Sequence, residues 1–362
     1  MAASKHFEPL GDIRTLKLSI TGECNLSCFY CKALGHHNEF FETKKSLSSS
    51  DVNKFVKIVG EFGVNQVLIE GAEPLLRKDA PSFVKAAHAS KKINEVRLIT
   101  NGTHLKAFAD PLRKMGLKKV DVNFDTLHFM KYQRITGHDS LYRVLDGVEK
   151  VEKLKYSDIR LNVTLLKEIN EDEIVEIARL TRDRRIHIRF VEYDPQNQEL
   201  DPYRDRNILT VLEAKKMIDN YQILERVHDL SEDQPTLKFK FPNALGVMSF
   251  LSKVDLQKER DTPFIQLNSN GDVFNSCDPS KTFSIMEAIR KDAKDPKFRK
   301  AIEKIYLANA VEKKVKTATG KKKKSSTTKP AQKTKGKSTD AAKTQKASAR
   351  KKTSASRNTL SV

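Results

Sequence analysis

The sequence lacks the features of a secreted or membrane-spanning protein. It contains no run of about 18 apolar residues, which a membrane-spanning helix requires. Its opening residues, MAASKHFEPLGDIR, have no apolar core, so we expect no secretory signal. Only four cysteines occur in 362 residues, and their uneven spacing does not suit a disulfide framework. We therefore expect a cytoplasmic protein that does not contact a membrane.

Acidic residues are scarce in only one part of the chain, the C-terminal segment. The whole chain has 67 Lys+Arg and 47 Asp+Glu, and a formal net charge of +20. Residues 311–362 hold 17 basic and 2 acidic residues and no aromatic residue. Such a segment buries too little apolar area to offset the ~1–2 kcal/mol per residue of backbone ordering. We predict a disordered basic tail, which either solubilises the protein or contacts nucleic acid non-specifically.

Strand-like segments alternate with helical patterns six times in the first half of the chain. One helical pattern places Val52, Phe55, Val56 and Val59 on a single face. The six strand-like segments are 15–21, 65–71, 95–102, 118–126, 158–166 and 186–193. This alternation predicts an α/β fold, a parallel sheet with outer helices that forms an open barrel or a wound sheet. In either arrangement the functional edge lies at the carboxyl ends of the strands.

The region 195–310 has weaker patterns. We predict a helix over 209–227, strands over 236–242 and 244–252, and a hairpin with an NSNG turn over 264–276. One or two closing helices, broken near Pro296, follow. We expect three parts: a core of residues 1–194, a smaller C-terminal extension of residues 195–310 packed beside or under it, and the tail of residues 311–362.

Three of the four cysteines, Cys24, Cys28 and Cys31, lie within eight residues after the first predicted strand. A structural zinc site would need a fourth ligand, which His36 or His37 could supply. Three buried structural cysteines are a further alternative. A [4Fe–4S] cluster normally takes four thiolates, so three would leave one iron open to a substrate or cofactor.

Polar residues also gather at the ends of the other predicted strands. For three of them an ordinary structural explanation exists. Glu73 could be a helix N-terminal carboxylate, and Asp125 a turn former. Arg189 could pair with Glu192 or another carboxylate. The polar segments that end the strands are EGAEP (70–74), TNG (100–102) and NFD (123–125), followed by Asn162 and Thr164, and by Arg189 and Glu192.

The pattern C-x3-C-x2-C, with Tyr30 before the last cysteine, resembles the motif of the radical S-adenosylmethionine (SAM) superfamily. GAEPLLRKD (71–79) resembles the GGEPLLR motif of that superfamily, with Ala72 in place of the second glycine. The segments ITNGTHL, VDVNFDTLHFMKYQRITGHD, LNVTLLKEINEDEI and IRFVEYDP resemble, in order, those of the GTP 3′,8-cyclases of molybdenum-cofactor biosynthesis. The resemblance covers about residues 12–194 and continues faintly to residue 279.

The resemblance implies a (β/α)6 partial TIM barrel and two cofactors, a [4Fe–4S] cluster and SAM. Cys24, Cys28 and Cys31 would hold three irons, and the amino and carboxylate groups of SAM would bind the fourth. Cleavage of SAM would give a 5′-deoxyadenosyl radical that abstracts a hydrogen from substrate, with an electron donor such as a flavodoxin or ferredoxin. The other implied SAM contacts are Gly71, Ala72 and Glu73 at the amino group, Thr100 and Asn123 at the methionine portion, Arg189 at the carboxylate, Asn162 near the ribose and Tyr30 near the adenine.

The resemblance fails in the C-terminal region. GTP 3′,8-cyclases hold a second, substrate-binding cluster with a C-x2-C pair and a third cysteine, whose place Cys277 takes here. The upstream pair is missing from DLQKERDTPFIQL (255–267), as are the family's following arginine-bearing run and Gly-Gly tail. We read Cys277 as a core or turn cysteine. We therefore predict a radical SAM enzyme with an unidentified substrate; the alternatives are a GTP 3′,8-cyclase and a non-catalytic iron–sulfur or nucleic-acid-binding protein.

Overall fold

The computed structural model describes residues 13–33, 47–194, 208–227, 237–276 and 278–286, together with Ile289 and Lys300. All of them belong to the compact unit Met1–Val315. Four features of the sequence analysis lie outside the described residues: His36 and His37, Cys277, the closing helices around Pro296, and the basic tail 311–362.

The described residues form nine α-helices and twelve β-strands. The helices are α1 (Phe29–Ala33), α2 (Ser49–Glu61), α3 (Ala80–Ala87), α4 (Leu105–Lys114), α5 (Phe129–Thr136), α6 (Leu141–Lys153), α7 (Ile174–Arg179), α8 (Val211–Tyr221) and α9 (Lys253–Asp261). The strands are β1 (Thr15–Ser19), β2 (Gln66–Glu70), β3 (Glu95–Thr100), β4 (Lys119–Asn123), β5 (Asp158–Leu165), β6 (His187–Glu192), β7 (Glu225–Val227), β8 (Lys238–Lys240), β9 (Val247–Leu251), β10 (Phe264–Leu267), β11 (Asp272–Asn275) and β12 (Asp278–Ser284).

The strands of the described residues form one mixed sheet in the order β12-β11-β10-β1-β2-β3-β4-β5-β6-β9-β8-β7. Strands β1 to β6 are neighbours in chain order and pair in parallel, which confirms the predicted parallel sheet. The C-terminal region extends the same sheet at both edges. There β10 pairs in parallel with β1, β9 pairs in parallel with β6, and antiparallel strands follow on each side.

One face of the sheet is apolar and covered by helices. In β5 buried and partly exposed residues alternate, so that Leu161 and Val163 are buried on the helix side. Helix α2 packs the apolar face that the sequence predicted against this side of the sheet, and its residues Val52 and Phe55 are fully buried. Its N-terminus is fixed by a capping box in which Ser48 receives a hydrogen bond from the backbone of Asp51.

The opposite face of the sheet is polar. Arg97 of β3 is almost fully buried there, and its guanidinium bonds the carboxylates of Asp121 at 2.6 Å and Asp158 at 2.5 Å. Lys119 pairs with Glu95 at 2.5 Å. Because an unpaired buried charge is costly, this pairing is what allows charged side chains to line the sheet.

Two C-terminal elements differ from the sequence predictions. The helix predicted over 209–227 ends at Tyr221, and its last residues form strand β7, which pairs with β8. Helix α9 was not predicted, because it buries no residue and so has no apolar stripe to signal it. Among the described helices, none combines the length and the apolar character that crossing a bilayer demands.

Candidate functional site

The three clustered cysteines follow β1 at the carboxyl edge of the sheet. Cys24 is exposed in the loop, Cys28 is buried before α1, and Cys31 is half-buried within α1. The backbone N–H of Cys31 donates to the carbonyl of Cys28 at 3.1 Å, so the one-turn helix fixes their spacing. The backbone N–H of Leu26 donates to Cys24 Sγ at 3.4 Å.

The thiols influence one another directly. A hydrogen bond between the Cys28 and Cys31 sulfurs raises the pKa of Cys28 and lowers the pKa of Cys31, since Cys31 accepts it. Cys24 is close enough to Cys31 to interact with it electrostatically. Thiolates on one short loop are the donor set of an iron–sulfur cluster, so these residues fit such a group. Within the described ranges, no three His, Cys, Asp or Glu side chains converge as ligands of a single metal ion.

The loop after β2 is hydrogen-bonded to the cysteine loop. The backbone N–H of Ala72 donates to the carbonyl of Thr21 at 3.0 Å, and that of Glu73 to the carbonyl of Glu23 at 2.8 Å. Gly71 has a φ of +149°, and a Cβ there would lie 2.5 Å from the Thr21 carbonyl oxygen. Only glycine allows this approach, which places Gly71, Ala72 and Glu73 beside Cys24.

The carboxylate of Glu73 joins the ends of β2 and β3. It is fully buried and accepts hydrogen bonds from Leu75 N at 2.9 Å, Thr100 Oγ1 at 2.7 Å and Asn101 N at 2.7 Å. Burial raises the pKa of Glu73, and these three hydrogen bonds oppose the rise. The bond from Leu75 N also caps a short 3₁₀ turn, as the ordinary structural interpretation of this residue expected.

Asn101 is a site residue that the sequence analysis did not single out. Its side-chain amide donates to Asn25 Oδ1 at 3.0 Å and approaches Cys24 Sγ at 3.8 Å. Its Oδ1 accepts from Thr103 Oγ1 at 2.7 Å. The available signal was its position next to Thr100, in the polar TNG segment that ends a strand.

Tyr30 is tied to the end of β4. Its hydroxyl donates to Asp125 Oδ2 at 2.6 Å, and the backbone N–H of Thr164 donates to Asp125 Oδ1 at 2.8 Å. Burial raises the pKa of both Tyr30 and Asp125. Asp125 therefore links α1, β4 and β5, which is more than the turn-forming role considered from the sequence.

Asn123, Asn162 and Arg189 form a row across β4, β5 and β6. They are register partners, and the side chain of Asn162 bonds the other two, at 3.3 Å to Asn123 and 3.4 Å to Arg189. Arg189 also pairs with Glu259 of α9 at 3.0 Å and lies 3.8 Å from Asp121. All three predicted residues therefore share the polar face at the carboxyl edge.

Glu192, the first partner suggested for Arg189, is used elsewhere. Its two carboxylate oxygens accept from the backbone N–H groups of Val211 at 3.0 Å and Lys253 at 2.8 Å. The pairing of Arg189 with Glu259 matches the more general expectation of another carboxylate. The predicted site residues thus fall into three hydrogen-bonded groups, one around Cys24, one around Asn162, and the pair of Tyr30 with Asp125.

Comparison with known proteins identifies the family of this chain. The family model of the radical SAM superfamily matches residues 18–181. The GTP 3′,8-cyclase of Listeria welshimeri is 32% identical over 241 residues, which cover 66% of this chain and 72% of that protein. The GTP 3′,8-cyclase of Peptoclostridium acidaminophilum is 31% identical over 271 residues, covering 72% and 78%.

The fold is also shared with a solved structure. Streptococcus suis SuiB bound to S-adenosylmethionine has a TM-score of 0.53 to this chain at 14% sequence identity, over 78% of this chain and 66% of that chain. The family model includes all three clustered cysteines. The chain therefore belongs to the radical SAM superfamily, in which it is a diverged relative of the GTP 3′,8-cyclases.

Proposed function

We propose that this protein binds a [4Fe–4S] cluster and SAM, cleaves SAM reductively, and uses the resulting 5′-deoxyadenosyl radical to abstract hydrogen from a substrate that is not yet identified. One observation carries the proposal. The cysteine loop, the loop after β2 and the loop after β3 are hydrogen-bonded to one another at one edge of a parallel sheet. Ligands of parallel α/β sheets bind at that edge.

Each loop has a separate task in the proposed site. Cys24, Cys28 and Cys31 would hold three irons and would leave the fourth for the amino and carboxylate groups of SAM. Gly71 and Ala72 offer backbone carbonyls to the amino group. Glu73 keeps the second and third loops in register through its three hydrogen bonds, so its first task is to position the others.

The remaining predicted contacts extend along the sheet. Thr100 and Asn123 lie at the methionine portion, Asn162 near the ribose and Tyr30 near the adenine. Arg189 meets the SAM carboxylate through a charge-assisted pair. The register of Asn123, Asn162 and Arg189 supports one continuous binding row.

Four further features belong to this proposal. The six β/α units curve into a partial TIM barrel, with the polar face inside. The electron comes from a donor such as a flavodoxin or ferredoxin, and the protein works in the cytoplasm. The basic tail 311–362 either contacts nucleic acid non-specifically or has no partner; removing it and measuring RNA binding decides between the two.

GTP 3′,8-cyclase activity is the second candidate, and the sequence identity of 31–32% to enzymes of that name supports it. The chain's own residues argue against it. The region 255–267 contains no cysteine, and more than half of it belongs to α9, in which most residues are charged. Cys277 alone cannot hold a second cluster. We therefore favour a different substrate.

Iron content and SAM cleavage test the proposal. We expect anaerobically reconstituted protein to hold one cluster, about four irons per chain, and to form 5′-deoxyadenosine from SAM and a reductant. Replacing Cys24, Cys28 and Cys31 by alanine abolishes both. Cys277→Ala is the matched control and leaves the iron content unchanged.

Each other outcome selects another interpretation. About eight irons per chain, with loss of half in Cys277→Ala, would support the GTP 3′,8-cyclase candidate. A bound cluster without 5′-deoxyadenosine would support the non-catalytic iron–sulfur protein. Zinc, or a colourless protein, would refute the proposal.

A further inference from the structure

Most carboxylates on the polar face of the sheet already have a cationic partner. Glu95 pairs with Lys119, and Asp121 and Asp158 share the guanidinium of Arg97. These carboxylates are therefore already paired with cationic side chains of the protein. A ligand-binding carboxylate would instead have to be one that the protein leaves uncommitted.

Glu70 is such a carboxylate. It is the last residue of β2, and the alternation of the strand places it on the polar face with Gln66. Within the described part of the chain, no group hydrogen-bonds its carboxylate and no cationic side chain forms an ion pair with it. Burial raises the pKa of Glu70, and the positive charge of Lys17 opposes the rise. Among the described residues, the carboxylate therefore lacks both a hydrogen-bond donor and a cationic partner.

The neighbouring side chains keep this position open. The ammonium of Lys17 lies 4.0 Å from the centroid of the Phe264 ring, a cation–π contact that directs it towards β10. Ser19, the register partner of Glu70, accepts a hydrogen bond from Gln266 Nε2 at 3.0 Å. The groups that could have reached Glu70 are thus engaged on the β10 side.

The position of Glu70 relative to the proposed SAM site follows from the chain. Gly71, the next residue, begins the loop that bonds the cysteine loop. Ser19, beside Glu70, is the last residue of the strand that leads to Cys24. A substrate must bring its reacting carbon next to SAM, so a group at Glu70 would lie beside the loops of the proposed SAM site.

We propose that Glu70 is a specificity residue that accepts hydrogen bonds from a cationic nitrogen of the substrate, an amine or a guanidinium. This inference rests on the proposed function and names its substrate class. A carboxylate attracts such a group and repels a polyanion, so a nucleoside triphosphate does not suit this position. Ser19 and Gln266 add neutral hydrogen-bonding groups next to it.

Two peptides that differ in one terminal atom test this inference. Acetyl-Gly-Lys-Gly-amide carries the ammonium, and acetyl-Gly-norleucine-Gly-amide lacks it but keeps the same four side-chain carbons. Each is titrated calorimetrically into the full, anaerobically reconstituted chain with S-adenosylhomocysteine bound. We expect the lysine peptide to bind about 10-fold tighter, the usual effect of one charge-assisted hydrogen bond.

Variants assign the effect to Glu70. In Glu70→Gln the preference falls below about 3-fold, whereas Glu70→Asp keeps the charge and most of the preference. Glu176→Gln, an exposed carboxylate on α7, leaves it unchanged. Because Glu70 receives no hydrogen bond within the described residues and burial raises its pKa, Glu70→Gln should unfold at neutral pH at a urea concentration no lower than that of the wild type, and Glu70→Asp at a similar one.

Two results would overturn the inference: wild-type protein that does not prefer the lysine peptide, including one that binds neither peptide, or an undiminished preference in Glu70→Gln. SAM binding is measured separately by the cluster absorption spectrum. Loss of SAM binding with a retained Glu70-dependent preference would refute the proposed function alone. Normal SAM binding without the preference would refute this inference alone.

Discussion

Removing the Glu73 carboxylate should destabilise the protein by several kcal/mol, although the side chain is a charged group in a protein interior. In Glu73→Ala three buried donors, Leu75 N, Thr100 Oγ1 and Asn101 N, lose their acceptor. Each unsatisfied buried donor costs about 1–3 kcal/mol, and the relieved burial of the charge returns part of this. We expect a net loss of about 4 kcal/mol.

Glu73→Gln separates hydrogen bonding from side-chain volume. Its amide oxygen can keep the bonds to Leu75 N and Thr100 Oγ1, but its amide nitrogen then faces Asn101 N, a second donor. One bond is lost, and we expect a loss of about 2 kcal/mol. Urea unfolding of the metal-free protein at neutral pH measures both variants, with the exposed Glu23→Gln as control. A loss below about 1 kcal/mol in Glu73→Ala would show that the three bonds do not hold the loops together.

Three further substitutions test individual contacts. Gly71→Ala places a Cβ 2.5 Å from the Thr21 carbonyl oxygen at a φ of +149°. We therefore expect the free energy of unfolding, measured in urea, to fall by about 2 kcal/mol or more. An unchanged urea midpoint would contradict the close approach of the two loops. Tyr30→Phe removes the 2.6 Å hydrogen bond to Asp125. We expect the free energy of unfolding at pH 7 to fall by about 1.5–3 kcal/mol. Unchanged stability would mean that Asp125 finds another donor. Burial lowers the pKa of His187 to about 3, against about 6.5 when unfolded, so stability is lost as the pH falls from about 6.5 towards 3. Between pH 7 and pH 5 the wild type should lose about 2 kcal/mol more than His187→Gln, and equal slopes would refute the assignment.

Local patterns in the sequence were sufficient to predict the central parallel sheet. The face of α2 with Val52, Phe55, Val56 and Val59 is buried as its 3.6-residue spacing predicts. Each of the six predicted strands contains one observed strand, and each observed strand ends one to three residues before the predicted carboxyl end. There the chain leaves the sheet to form the loops of the site.

The C-terminal topology could not be predicted in the same way. The parallel pairing of β10 with β1 makes Leu18 and Leu267 register partners. A local periodicity cannot predict a contact between residues so far apart in the sequence. Helix α9 has no buried residue, so its only local signal was the capping pair Ser252 and Asp255. Its contact with Arg189 depends on how the sheet is completed.

The candidate site was predictable where a residue type is rare and remained hidden where it is common. Three cysteines in eight residues stand out from the sequence, and the structure places them at the predicted edge. Asn101 and Asn25 did not stand out, because polar residues are ordinary in loops. The contacts of Asn101 with Cys24 and Asn25 become visible only when β1 and β3 are assembled.

The most direct test of the central claim is the electron paramagnetic resonance spectrum of the reduced, reconstituted protein with and without SAM. A cluster held by only Cys24, Cys28 and Cys31 has an iron available to SAM, so we expect its g-values to shift when SAM is added. The shift should persist in Cys277→Ala. A spectrum that does not respond to saturating SAM would mean that no iron is open, and radical chemistry at this site would be excluded.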